Sequence, residues 1–216
     1  MTKSHQQHKI LALAAAAFGL LGAASAVQAQ QQQTATAEGP WLVRARVVHL
    51  DSANKDSTGL NLAINNKAIP EVDISYFFTP NWAAELILTY PQKHDLKAGG
   101  NKIGSLKHLP PTLSLQYHFA PSATFRPYVG AGINYTRFSS VNFDPAVQAA
   151  LAPSIKKNSY GLSLQAGADI EIAKNLYLNV DIKKVKIDTD VSSKGSKVGS
   201  FKVDPVLFGI GLGMRF

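Results

Sequence analysis

The chain has no cysteine among its 216 residues. That removes disulfide frameworks, thiol nucleophiles and cysteine metal sites together. Histidine is sparse, six residues in all, and the acidic side chains number 14 against 22 basic ones. Long apolar runs are also missing. The one candidate, over residues 10–24, falls short of the ~20 residues that a spanning helix needs. It follows Lys3, His5, His8 and Lys9 and precedes Val27-Gln28-Ala29, so residues 1–29 read as a secretory signal peptide cut after Ala29. Without Lys3 and Lys9 the rest carries 20 basic and 14 acidic residues, a formal +6. An exported protein has little access to nucleic acid, and no nucleic-acid partner is expected. The surplus points instead to outer-membrane lipid headgroups and lipopolysaccharide phosphates.

What is present is alternation. The last stretch, DPVLFGIGLGMRF over 204–216, sets Val206, Phe208, Ile210, Leu212, Met214 and Phe216 against Leu207, Gly209, Gly211, Gly213 and Arg215. A period of two is a strand with two unlike faces. A soluble barrel turns its bulky face inward; a membrane barrel turns it outward to lipid and keeps small or polar residues inside. The same pattern recurs over 41–50, 69–78, 82–90, 109–119, 127–138, 160–172 and 176–183. Over 160–172, for example, Leu162, Leu164, Ala166 and Ala168 oppose Gly161, Ser163, Gln165, Gly167 and Asp169. After Lys184 the alternation is expected to slip, at a bulge or where the strand leaves the membrane.

Eight strands, joined alternately by short turns and long polar loops, give an all-β, antiparallel transmembrane barrel over 41–216. Residues 30–40, glutamine-rich, read as a flexible periplasmic lead. Asp144-Pro145 followed by AVQAAL predicts one or two helical turns stopped at Pro153. Trp41, Phe78, Trp82, Tyr90, Phe119, Tyr128, Phe138, Tyr160 and Phe216 near strand ends fit two interfacial girdles.

Several stretches resemble the outer membrane protein W (OmpW) family: TPNWAAEL at 79–86, PQKHDL at 91–96, KHLPPTLSLQYHF at 107–119, FRPYVGAGINYTRF at 125–138 and the closing DPVLFGIGLGMRF. The resemblance covers nearly all of the chain after the leader. It implies an eight-stranded barrel of the bacterial outer membrane that passes small hydrophobic molecules, with a sideways exit from lumen to membrane. The aromatic end, Phe216, resembles the signal read by the outer-membrane insertion machinery.

Inward glycines, Gly130, Gly132, Gly161, Gly167, Gly209, Gly211 and Gly213, leave room for a channel or relieve crowding in a small barrel. Ile87, Leu207 and Tyr177 are the apolar inner residues expected at a constriction. Pro110 and Pro111 lack the N–H that a ladder needs, and Pro91 ends the preceding strand. The outer end of this strand pair is therefore either a simple strand start beside a loop or the place where the lateral opening implied by the resemblance would form. Asp169, Glu171, Asp181 and Lys183 on inner faces require pairing or hydration. No cofactor, metal or catalytic site is expected. His94 and His108 could approach each other but lack a carboxylate partner. Ser114 and His118 share a face at roughly 13 Å, too far for a catalytic hydrogen bond. The alternative to a conduit is a non-conducting barrel whose loops bind lipopolysaccharide, phage or host partners.

Overall fold

The computed structural model describes residues 38–216; the leader over 1–29 and residues 30–37 of the expected lead lie outside the described residues. In chain order the strands are β1 (Trp41–Asp51), β2 (Lys55–Asp56), β3 (Leu62–Ile64), β4 (Lys67–Phe77), β5 (Trp82–Leu88), β6 (Gln92–Ala98), β7 (Asn101–Leu109), β8 (Thr112–His118) and β9 (Phe125–Phe143). After the helix α1 (Pro145–Leu151) come β10 (Pro153–Ile155), β11 (Asn158–Ala173), β12 (Leu176–Val185), β13 (Asp188–Ser193), β14 (Ser196–Lys202) and β15 (Val206–Arg215). β1, β4, β5, β8, β9, β11, β12 and β15 pair in that order, each antiparallel to the next, and β15 returns to β1 to close an eight-stranded barrel. The seam ends on the aromatic terminus: the Trp41 N–H donates to the Phe216 carbonyl at 3.0 Å and the Phe216 N–H to the Trp41 carbonyl at 2.9 Å.

Alternation places the side chains as the sequence requires. Val47, Ile133, Leu162, Leu164 and Ile210 are exposed on the outer surface, where lipid covers them, while Arg44, Asp73, Glu85, Gln116 and Lys183 are buried inside. Trp41, Phe78, Trp82, Tyr90, Tyr160 and Phe216 point outward near strand ends. Tyr128 and Phe138 do not join the girdles: both are fully buried on the inner side of β9.

Beyond Lys183 the facing does not slip. Val185 and Ile187 continue the buried series while Lys184 and Lys186 are exposed. What inverts is the chemistry, apolar inside and charged outside, as in a protein surrounded by water. β12 leaves the membrane at this point without a bulge.

The long connections, expected as polar loops, build a second layer on the extracellular side. β6 and β7 form a hairpin that continues onto β9, and β10, β13, β14 and β2 form a separate four-stranded sheet. Ile64, Leu106, Phe138, Val185, Ile187, Val191, Phe201 and Val203 pack into one buried cluster over the barrel mouth. Isolated apolar residues in polar surroundings supply that core, which is why each segment alone reads as a loop. The helix forms where expected; Pro145 occupies its first turn and Ala152 ends it with a left-handed φ of 40°.

Candidate functional site

The barrel interior is occupied by a charged network drawn from most of its strands. From β1, Arg44 donates through Nε and Nη2 to Asp169 of β11 at 2.9 and 2.7 Å, and through Nη1 to Asp73 of β4 at 2.7 Å. Arg46 Nη2 lies 2.7 Å from Glu71 and 3.0 Å from Asp73. Gln165 donates to Glu85 at 2.7 Å, Asn179 to Asp169 at 2.8 Å, and the Tyr128 hydroxyl to Asp181 at 2.9 Å. Lys183 stands 3.5 Å from Glu71. Five buried carboxyl groups (Glu71, Asp73, Glu85, Asp169 and Asp181) thus surround three cations, Arg44, Arg46 and Lys183. Charge inside a barrel is tolerable when paired in this way. The network spans the cross-section and fills it.

The inward glycines make room for it. A Cβ on Gly130 would stand 2.8 Å from Gln165 Cγ, and one on Gly213 would stand 2.9 Å from Arg44 Cγ. Gly209 faces Arg46 Cδ at 3.6 Å, and the ring of Tyr128 occupies the space beside Gly167 at 2.5 Å. Gly132, Gly161 and Gly211 have a different reason: a Cβ there would run into the Leu113, Lys186 and Ala45 carbonyls, so close backbone approach needs a residue without Cβ. Side chains of neighbouring strands occupy the space beside Gly130, Gly167, Gly209 and Gly213.

At the periplasmic mouth, Glu38 folds back under the barrel. Arg126 Nη1 and Nη2 bind its carboxylate at 2.6 and 2.8 Å, Arg215 lies at 2.9 Å, and the Tyr177 hydroxyl donates at 2.8 Å. Arg126 also stacks over the Tyr177 ring at 4.8 Å, and Arg215 over Phe77 at 4.0 Å. Burial alone pushes the Glu38 carboxyl up, but hydrogen bonds from Arg126 and Tyr177 and the two guanidinium charges outweigh it and hold it below its usual value. Glu38 carries little sequence signal, because its partners stand 88 and 139 residues away. Tyr177 therefore belongs to this clamp, and the structure does not bring it to Ile87 and Leu207.

Ile87 and Leu207 line a small space above the charged network, with Glu71, His108, Pro110, Thr112, Asn134 and Lys183 among its other walls. Its free volume is about 20 Å³, enough for one water. Beside it the wall is broken. β5 and β8 last pair at Ile87 with Thr112, and the ladder resumes only at Gln92 with His108. Pro91 lies in one interrupted segment, Pro110 and Pro111 in the other. The two strands are seven residues each, against 10 to 19 for the other barrel strands. On the other flank of the proline segment Asn134 of β9 holds it: Nδ2 lies 3.1 Å from Pro110 O, 3.2 Å from Pro111 O and 2.8 Å from Thr112 Oγ1. Outside the same residues, a groove of about 590 Å³ is bounded by Leu86, Pro111, Leu113, Ile133, Tyr160 and Leu162.

Just above the break, His94 and His108 stack face to face, centroids 4.6 Å apart and planes within 11°. Their approach agrees with their places on the paired β6 and β7. His94 Nδ1 contacts the Asn65 carbonyl at 3.0 Å, and neither Nε2 has a hydrogen-bond partner. Burial lowers both, His108 to about 3, with His94 and Lys67 adding repulsion at His108. Among the described residues no three histidine, aspartate or glutamate side chains are grouped to hold a metal. Ser114 and His118 are both buried on the inner face, but His118 Nε2 meets Gln116 Oε1 at 3.1 Å rather than serine.

The OmpW family model matches residues 37–216, the described chain almost residue for residue. The chain belongs to the OmpW family. The outer membrane protein W of Vibrio cholerae is 34% identical over 194 residues, 83% of this chain and 89% of that protein. A Pseudomonas aeruginosa relative described as a dibenzothiophene metabolism operon protein, PahQ, is 27% identical over 161 residues, 71% of this chain and 74% of its own. The crystal structure of OprG from Pseudomonas aeruginosa superposes with a TM-score of 0.75 at 25% identity, covering 83% of this chain and 97% of that one. This OmpW-family barrel is a protein of the bacterial outer membrane.

Proposed function

We propose that this OmpW-family barrel conducts small, uncharged hydrophobic molecules from outside the cell to the bilayer, with the exit through the wall rather than down the lumen. The observation that carries the reading is the pairing gap at Pro91 and Pro110–Pro111. There a cavity lined by Ile87 and Leu207 and an apolar groove on the lipid side share Thr112 and Asn134 as their only common lining. Downward, an apolar solute would have to displace Arg44 and Arg46 from their carboxylates. Sideways, it displaces one amide. The two N–H groups of the Asn134 amide are shared among three neutral acceptors, each hydrogen bond contributing ~0.5–1.5 kcal/mol net, within reach of thermal opening. The relative named for dibenzothiophene metabolism supports an apolar aromatic cargo.

Replacing Pro110 and Pro111 by valine restores two N–H donors where β8 meets its neighbours and should zip the gap. Uptake of a small hydrophobic compound, measured in cells whose own copy is deleted, should fall severalfold while surface display stays normal. Ile87→Trp should narrow the chamber and lower the same uptake. If the proline pair can be changed without effect while Ile87→Trp still blocks, the route runs through the barrel axis. If neither change alters uptake, the conduit reading fails.

A further inference from the structure

The lipid-facing groove has a charged rim that solute passage does not use. Register places three cations around its upper edge. Lys186 is part of the groove wall, and its N–H donates to the Leu162 carbonyl at 2.9 Å. Arg137 follows Tyr135 on the outer face of β9 and pairs with Asn158 of β11 on one side and Leu109 of β7 on the other. Lys107 points outward on β7, opposite Ser139. All three are exposed, and none forms an ion pair with a described residue; the exposed lysines that do, Lys102 and Lys197, are held by Asp95 and Asp190 higher in the cap. Below the rim, Tyr135 and Tyr160 pack with centroids 5.1 Å apart, and the Tyr135 hydroxyl donates to Asn158 at 2.9 Å. Below the tyrosines, Leu86, Leu113, Ile133 and Leu162 form the apolar wall.

Unpaired cations, then an aromatic belt, then an open apolar slot facing hydrocarbon is the order of groups met along a phosphorylated, acylated lipid. From this complementarity we infer that the groove is a specific binding site for lipopolysaccharide. An acyl chain would lie along Leu113, Ile133 and Leu162, and its sugar phosphates would rest on Lys107, Arg137 and Lys186. Two points favour this lipid over a two-chain phospholipid. The cations lie on the extracellular side, with the long connections, and three of them, on β7, on β9 and just past the end of β12, suit a headgroup carrying more than one phosphate. The inference does not depend on lateral exit, because neither the prolines nor Asn134 takes part in phosphate binding.

The test uses the full chain refolded in detergent, with purified lipopolysaccharide as probe and native mass spectrometry or fluorescence titration as readout. One molecule should bind per barrel, saturably. Lys107→Glu/Arg137→Glu/Lys186→Glu should weaken binding roughly 30-fold or more, and enzymatic removal of the lipid phosphates should do the same. Leu162→Trp, which fills the groove, should also weaken it, whereas Leu164→Trp, on the same face outside the groove, should not. Heat-modifiable migration on gels reports folding of each variant. Unchanged affinity in the charge-reversed variant would overturn the assignment, as would phosphatidylglycerol competing equally, mole for mole. Loss of binding with uptake of an uncharged solute preserved would separate this site from the conduit.

Discussion

Arg44 shows how a single side chain organises the barrel interior. Its guanidinium is fully buried and is shared between Asp73 and Asp169, carboxylates on strands that do not touch each other. The pair with Asp169 spans 125 residues of sequence. Removing one partner of a buried ion pair costs about 3–5 kcal/mol, because the other charge is left without compensation. Arg44→Met should therefore lower urea stability in lipid vesicles by about that amount, and adding Asp169→Asn should recover a good part of it. Equal stability of the single and double variants would show that the two residues are not coupled. The outer surface answers to a different solvent. Leu164→Arg places a charge against hydrocarbon and should cost ~2–4 kcal/mol of insertion. Gln165→Arg puts the same group among Glu85 and the other interior carboxylates, where acids outnumber cations five to three, and should be far milder. Equal losses at both positions would mean that the facing of β11 is wrong. That facing is readable in the sequence from alternation alone. The Arg44 pairs are not, since periodicity gives a residue's side but not what stands across the lumen.

Among the elements, the two ends of the barrel are closed by different chemistry. The periplasmic clamp centres on the Glu38 carboxylate, with Glu171 as a second partner of Arg126 at 2.9 Å. Glu38→Gln keeps the shape but loses the charge facing Arg126 and Arg215, at a cost of ~1.5–3 kcal/mol for charge-assisted hydrogen bonds. It should release the chain before Trp41 to limited proteolysis at neutral pH. Because the folded pKa of Glu38 is lowered, the clamp is fully formed above the usual carboxylate range and should fail as pH falls through that lowered value; equal resistance of the wild-type chain and Glu38→Gln at neutral pH would contradict this. The extracellular cap depends on uncharged histidines. With His94 and His108 both lowered in the folded state, their stabilisation is complete above about pH 6.5 and declines as pH falls toward the folded values, about 3 for His108. At pH 5 the penalty at His108 is about 2 kcal/mol, opposed by no carboxylate packed on that ring; Lys67 adds to it and Asp95 faces only His94. Amides of Gln92–Ala98 and Asn101–Leu109 should then exchange faster at pH 5 than expected from intrinsic rates. His108→Phe, which keeps a ring against His94 and Phe138, should flatten that dependence, and an unaltered profile would place the effect elsewhere. The prolines of the wall gap and helix α1 were legible in the sequence as breakers and starters. The cap strands were not, because the core is assembled from six separate segments that contribute only one or two buried apolar residues each.

For the molecule as a whole, strand count, closure and the location at the outer membrane follow from alternating faces and loop lengths, and the family match agrees. The state of the lumen does not follow from them: seven inward glycines are equally the signature of a void, of space for long side chains and of close backbone approach, and only the assembled strands decide. The inversion of inside and outside chemistry beyond Lys183 has a mechanical consequence. A strand rising ~3.4 Å per residue and tilted about 40° gains roughly 2.5 Å of height per residue. Sinking the barrel by two residues would press Lys107, Arg137, Lys184 and Lys186 toward hydrocarbon and push Leu212 and Met214 into the periplasm, while lifting it equally would draw the exposed Lys174 of the opposite turn toward hydrocarbon. Both displacements raise the free energy, so the protein floats between two stops. A bilayer thicker than the distance between them has to thin around the barrel rather than tilt it.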